Sequence, residues 1–140
     1  MNPDDLTRRL GLRPHPEGGH YVETHRAAAS AGERAPVTSL YYLLRAGERS
    51  RWHRVDATEI WHYQAGEALE LAVATDGGLH RHRLGPALLA GDVGHAVVPP
   101  FAWQSATPLG AWTLVSCTVA PGFDFAGFEL APDDFDPSRR

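Results

Sequence analysis

At 140 residues the chain has room for one domain burying roughly two thirds of its unfolded surface, and a second domain is excluded. Its 43% hydrophobic and 21% charged residues are those of a folded protein and exclude disorder outside the ends. The net charge is -4, from 17 acids against 13 arginines with no lysine; the arginines occur singly or in pairs, without the basic stripe of a nucleic-acid partner, and no apolar run approaches the ~20 residues of a membrane span.

The N-terminus, MNPDDLTRRL, lacks the basic-then-apolar layout of a signal peptide, and one cysteine, Cys117, suits a reducing compartment, so the expected location is cytoplasmic. Asn2 caps a short helix: Pro3 suits its first position, Asp4 and Asp5 complement its dipole, Leu6 and Leu10 form its apolar stripe, and Gly11 ends it. The prolines and glycines of 13–19 mark a tight connection. A strand over 20–26 alternates Tyr21, Glu23 and His25 against His20, Val22 and Thr24. His15 lies in the turn and the strand sends His20 and His25 to opposite faces, which argues against a shared metal. Glu23 is either solvated or, facing inward, a ligand-binding group that needs a partner.

Residues 27–36, small and polar, form a surface loop able to lie over a pocket mouth or meet a partner chain. An apolar strand over 37–44 follows. Its Tyr41 and Tyr42 face opposite ways, so one of them enters the interior.

The stretch GERSRWHRVDATEIWHYQAG, 47–66, reads as two short strands around a bend near Asp56. Glu59, Trp61 and Tyr63 share one face of the second strand, while His53 and Val55 point together on the first. If the strands pair as a hairpin, His53 and Glu59 become cross-strand neighbours able to hold one ligand or metal. Arg49, Arg51 and Arg54 flank His53, and Arg51 is a candidate clamp for a carboxylate or phosphate. Trp61, on the Glu59 face, is a candidate stacking platform.

Strands over 69–74 and 79–84 are joined by Asp76-Gly77-Gly78. His80 and His82 share a strand face, but their neighbours Arg81 and Arg83 and the lack of an acid at ligand spacing mark an exposed edge. Residues 87–94 are a loop, Ala96-Val97-Val98 is a buried strand broken by Pro99-Pro100, and a strand over 112–119, with Cys117 buried in it, closes the sheet. From Pro121 onward, Phe123, Phe125, Phe128 and Phe135 alternate with acids in an irregular wrap on the outside, frayed at its end. Many short strands with one short helix define an all-β barrel or sandwich.

The spacing of Gly47, His53, Glu59 and Gly66, with Val55 in place of a second histidine, resembles the first motif of the cupins. Gly91, Pro99, Phe101 and Gln104 are similar to the second motif, with phenylalanine where glycine is usual and glutamine where histidine is usual. HPEGGHYVETHR, TSLYYLL, VVPPFAWQSA and CTVAPGFDFAGFEL extend the likeness to a subfamily of small, single-domain cupins.

This resemblance implies a double-stranded β-helix, the cupin jelly-roll barrel, behind a short N-terminal helix. It implies one domain over 1–140, with barrel and wrap over 12–130, and a homodimer that protects sheet edges. It implies His53, Glu59 and Gln104 as ligands if a divalent metal binds. With Val55 and a weak glutamine ligand, affinity falls below that of a full set, and no cofactor is required. The chemistry left is acid–base. His53 beside Glu59 is poised near neutral pH, and Tyr41 or Tyr42 supplies the acid across a sugar ring, as in the metal-free nucleotide-sugar epimerases of the superfamily. The expected function is binding of a small polar ligand, such as a sugar or sugar phosphate, with epimerase or isomerase chemistry. His53, Glu59 and Tyr41 are its candidate catalytic residues, and Glu23, Trp61, Gln104 and Arg51 its candidate ligand contacts. A metal-dependent oxygenase or isomerase and a non-catalytic sensing protein are the alternatives.

Overall fold

The computed structural model describes residues 1–139. Asn2 caps α1 (Pro3–Leu10) by accepting from the Asp5 amide at 2.9 Å, and Gly11 ends the helix with a left-handed φ of 70°. Leu6 and Leu10 of this helix rest on Leu43 and Leu114, so α1 lies on the outside of a sheet.

Eleven strands follow in the described residues. They are β1 (Arg13–Pro14), β2 (His20–Arg26), β3 (Thr38–Arg45), β4 (Ser50–Val55), β5 (Thr58–Gly66) and β6 (Leu69–Thr75). Then come β7 (Gly78–Leu84), β8 (His95–Val98), β9 (Trp103–Pro108), β10 (Trp112–Ala120) and β11 (Phe128–Leu130). They form two antiparallel sheets, β1-β2-β3-β10-β5-β8 and β11-β4-β9-β6-β7. This is a jelly roll, as the pattern of short strands and the resemblance both lead one to expect. The inward sides interdigitate in one core built around Leu44, Trp61, Leu71, Val98 and Val115. Among the described residues no helix is long and apolar enough to cross a membrane.

Four expectations need correction. β4 and β5 do not pair as a hairpin. The bend at Asp56 carries the chain from one sheet to the other, so His53 and Glu59 face each other across the sandwich. β10 is not a closing edge but lies between β3 and β5, where its apolar inward side needs neighbours on both flanks. β8 is only half buried: Ala96 and Val98 face in, whereas Val97 is 51% exposed, because β8 is itself an edge. The tail is no mere outer wrap. Its β11 pairs with β4, Phe123 and Phe125 reach the cavity lining, and Phe135 packs against Trp52 and Trp103. Within the tail end expected to fray, residues Pro137–Arg139 form a 3-10 turn, and Arg140 lies outside the described residues. The His80-x-His82 pair does sit on an edge strand, β7.

Phe101 has a φ of 66°, so the backbone keeps the left-handed shape of the usual glycine although the glycine is gone. The ring is 62% exposed and contributes little packing. Left-handed backbone strains a side-chain-bearing residue by about 1–2 kcal/mol, partly offset by the freedom glycine adds to the unfolded chain. Phe101→Gly is therefore expected to gain up to about 1 kcal/mol in urea unfolding. A loss of stability would show that the exposed ring has a packing role.

Candidate active site

The interior holds a cavity of about 530 Å³ between the two sheets. Its deep end is built from several elements that the sequence keeps far apart.

Glu17 arrives from the connection between β1 and β2. The Gly18-Gly19 pair explains how it gets there. A Cβ on Gly18 would lie 2.2 Å from the Arg49 carbonyl oxygen, and one on Gly19 would lie 2.8 Å from the Tyr42 ring. Only glycines let this turn press flat on β3 and the start of β4, with positive φ at both positions. The turn is fastened by Arg51 N donating to Glu17 O at 2.9 Å and by the Tyr42 hydroxyl donating to Gly18 O. Glu17 is thereby driven inward and is 4% exposed.

His53 comes from β4. A register shift between Ser50 and His53 inserts a bulge, so that both, three residues apart, face the interior. Ser50 Oγ donates to Glu17 Oε1 at 2.5 Å, and His53 Nε2 lies 3.1 Å from Glu17 Oε2. His53 Nδ1 lies 2.7 Å from Arg51 O. A carbonyl can only accept, so Nδ1 carries the proton, and Nε2 faces Glu17 with a lone pair in the neutral ring. Burial lifts the Glu17 carboxyl, and burial depresses His53. Both shifts favour a neutral acid donating to a neutral imidazole. His15 flanks the pair, 3.9 Å from Glu17 Oε2, and burial lowers it too.

Glu59, on β5, closes the deep end from the opposite sheet. It is 7% exposed, and burial raises it to about 7 against the pull of His53. Its Oε1 accepts from Gln104 Nε2 at 2.9 Å, and Gln104 Oε1 accepts from Trp61 Nε1 at 2.8 Å. The indole N–H thus fixes which way the Gln104 amide points, and the amide in turn holds the carboxyl. Tyr42 and Cys117 complete the wall, and burial raises both far enough that they keep their protons.

The lining also includes the apolar Leu40, Val55 and Val119, and charged side chains from the 27–36 loop and β2. Arg34 on the 27–36 loop donates to both carboxylate oxygens of Asp56, at 2.9 and 2.8 Å, and to Gly122 O at 2.6 Å. One guanidinium therefore ties that loop to the bend after β4 and to the tail, and of the two roles open to the loop, it borders the cavity.

The sequence candidates separate accordingly. His53 and Glu59 meet at the deep end, and Glu23 lines the mouth, paired with Arg26 at 2.9 Å. Tyr41 points the other way, packed against the cluster beneath α1, and Tyr42 is the tyrosine that enters. Trp61 and Gln104 lie behind the cavity in the core rather than on its lining. Arg51 is turned outward, to Asp133 at 2.8 Å, and makes no contact with the cavity. Glu17, His15, Tyr42 and Ser50 are the groups that reading missed or set aside. The one signal for Glu17 is an acid wedged between proline and two glycines, which looks like an exposed turn until its packing is known.

An antiparallel jelly roll with histidine and glutamate on the inner face of its cavity defines the cupin class. The chain belongs to a family within it: residues 4–131 match the family model described as Cupin superfamily (DUF985). It is similar to a solved hypothetical protein from Leishmania major, at 30% identity and a TM-score of 0.86, over 94% of this chain and 88% of that one. It is also similar to a protein from Shewanella oneidensis, at 36% identity and a TM-score of 0.88, over 94% of this chain and 85% of that one. An oxalate decarboxylase variant from Bacillus subtilis, at 15% identity and a TM-score of 0.64, covers 84% of this chain and 29% of its own, which shows the fold alone. No curated protein matches the chain.

The positions of the usual cupin metal set do not present a full set of free donors here. Val55 offers no donor at the second position, and Gln104 is committed at both ends to Trp61 and Glu59. Among the described residues no three of His, Cys, Asp and Glu converge as a metal set.

Proposed function

We propose that the cavity binds a small neutral polar molecule, of the kind represented by an aldose or ketose, and moves protons on it without a metal. The observation that supports this most is the pairing of Glu17 with His53 at 3.1 Å on the wall opposite Glu59. Two acid–base systems with different charge states then face one bound molecule. Glu59, raised to about 7, is poised between acid and carboxylate near neutral pH, and as the carboxylate it takes a proton from carbon next to a carbonyl. The neutral Glu17–His53 pair, or the Tyr42 hydroxyl, supplies a proton to the carbonyl oxygen or to the other face. Deep groups that are mostly uncharged favour a hydroxyl-rich neutral ligand over a phosphate. The arginines at the mouth, Arg26 and Arg34, are already paired with acids.

The test is hydrogen exchange from D2O into a panel of aldoses and ketoses, followed by NMR in the presence of EDTA. Enzyme-dependent exchange is expected at the carbon beside the carbonyl, unaffected by EDTA. His53→Gln and Glu59→Gln should each reduce it by roughly 10²–10⁴-fold. Exchange abolished by EDTA, or equal in wild type and both variants, would sink the proposal.

A further inference from the structure

The outer face of the six-stranded sheet is covered by α1 only around Leu43 and Leu114. Over β5 and β8 the outward residues are half-buried (Ile60, His62) or exposed (His95, Val97), and there His62 and His95 are cross-strand partners. Tyr63 N donates to Gly94 O at 2.9 Å, so the next pair, His62 with His95, is of the non-hydrogen-bonded kind, whose side chains stand closest. Their ring centroids are 5.8 Å apart, with 42° between the planes. Two imidazoles holding one ion through nitrogens about 2 Å away have ring centres roughly 4.5–6.4 Å apart, from adjacent to opposite positions. Neither ring has a hydrogen-bond partner among the described residues, so its nitrogens are uncommitted. β5, β8 and β10 contain no arginine, and the chain has no lysine, so a cation approaching this face meets no fixed positive charge on those strands.

We propose that His62 and His95 form a two-imidazole chelate for a divalent transition metal ion of the copper and nickel type, on the opposite side of the sheet from the cavity. Imidazole suits these ions, and copper binds nitrogen ligands most strongly of the first-row series. Ligation uses the unprotonated imidazole, so uptake of the ion is expected to weaken as pH falls. Two protein ligands leave the remaining positions to water or to a donor from a second molecule. The site is therefore an open one that takes up and gives back its ion. It is independent of the chemistry proposed for the cavity.

The experiment titrates Cu2+ into untagged, EDTA-stripped and dialysed protein at pH 7, by calorimetry and by electron paramagnetic resonance. The wild type is expected to bind one ion per chain with a nitrogen hyperfine pattern from two imidazoles. His62→Gln and His95→Gln should each weaken binding about tenfold or more, while the double variant His80→Gln/His82→Gln, on the other sheet, leaves it unchanged. These histidines face outward, so the variants are not expected to disturb folding, and coincident thermal melts check this. Binding that persists in His62→Gln and His95→Gln, or that disappears with His80 and His82 or with His53→Gln, would overturn the proposal.

Discussion

Glu59→Gln is expected to be more stable than the wild type at pH 8 and no more stable at pH 5. Glu59 is raised from 4.5 to about 7, chiefly by burial. Between those two values the folded chain holds a proton that the unfolded chain has released, so the stabilising contribution is full below 4.5 and is lost as pH rises through 7. The interval corresponds to roughly 3 kcal/mol. Glutamine keeps the shape of the side chain and an acceptor for Gln104 but cannot ionise, which removes this loss. His53 acts in the opposite sense: its lowered value makes its contribution present above the ordinary histidine range and lost as pH falls. The wild-type profile is therefore squeezed from both sides, and Glu59→Gln opens its alkaline side. Glu17, also raised, keeps part of the slope in the variant. Urea unfolding at both pH values measures the effect. A wild-type-to-variant difference that stays constant from pH 5 to pH 8 would show that Glu59 is not a buried, proton-holding carboxyl.

Trp61→Ala is expected to lose roughly 3–5 kcal/mol, a large part of the ~5–15 kcal/mol that a domain possesses. The side chain is 1% exposed, lies 5.9 Å from the Tyr42 ring between centroids, and spends its N–H on Gln104, which is itself fully buried. Truncation would leave a void in the core and an amide oxygen with no donor. Trp61→Phe separates these causes, because it keeps most of the packing and loses only the hydrogen bond, for about 1–3 kcal/mol. A loss below about 1 kcal/mol in Trp61→Ala would return the residue to the cavity surface, where a stacking platform would sit.

Much of the fold is legible in local chemistry. The Asn2 cap, the Gly11 stop and the strand His20–Arg26 follow from capping, turn residues and alternation, each decided within a few positions. The sheet to which a strand belongs is not decided locally. β4 and β5 look like a hairpin because the bend at Asp56 is short, yet the chain crosses between sheets there. The same limit separates Tyr41 from Tyr42: alternation says that they diverge, but only the position of α1 shows which side is outside. Arg51 shares sequence parity with His53, and a bulge, unmarked by glycine or proline, breaks that parity. Glu17 lies in a segment with every mark of a surface turn, and its burial depends on contacts with β3 and β4, far along the chain. His53 and Glu59 were recognisable because their spacing with Gly47 and Gly66 follows a cupin motif, not because local pattern places them together.

The proposed function requires that the acid–base groups of the cavity act on one another and on a bound molecule rather than on a metal. Elemental analysis of untagged protein purified without chelator, beside His53→Ala, tests this most directly. The prediction is no iron, manganese, nickel or zinc at stoichiometric level whose presence depends on His53. Near one metal per chain in the wild type, lost in His53→Ala, would contradict it.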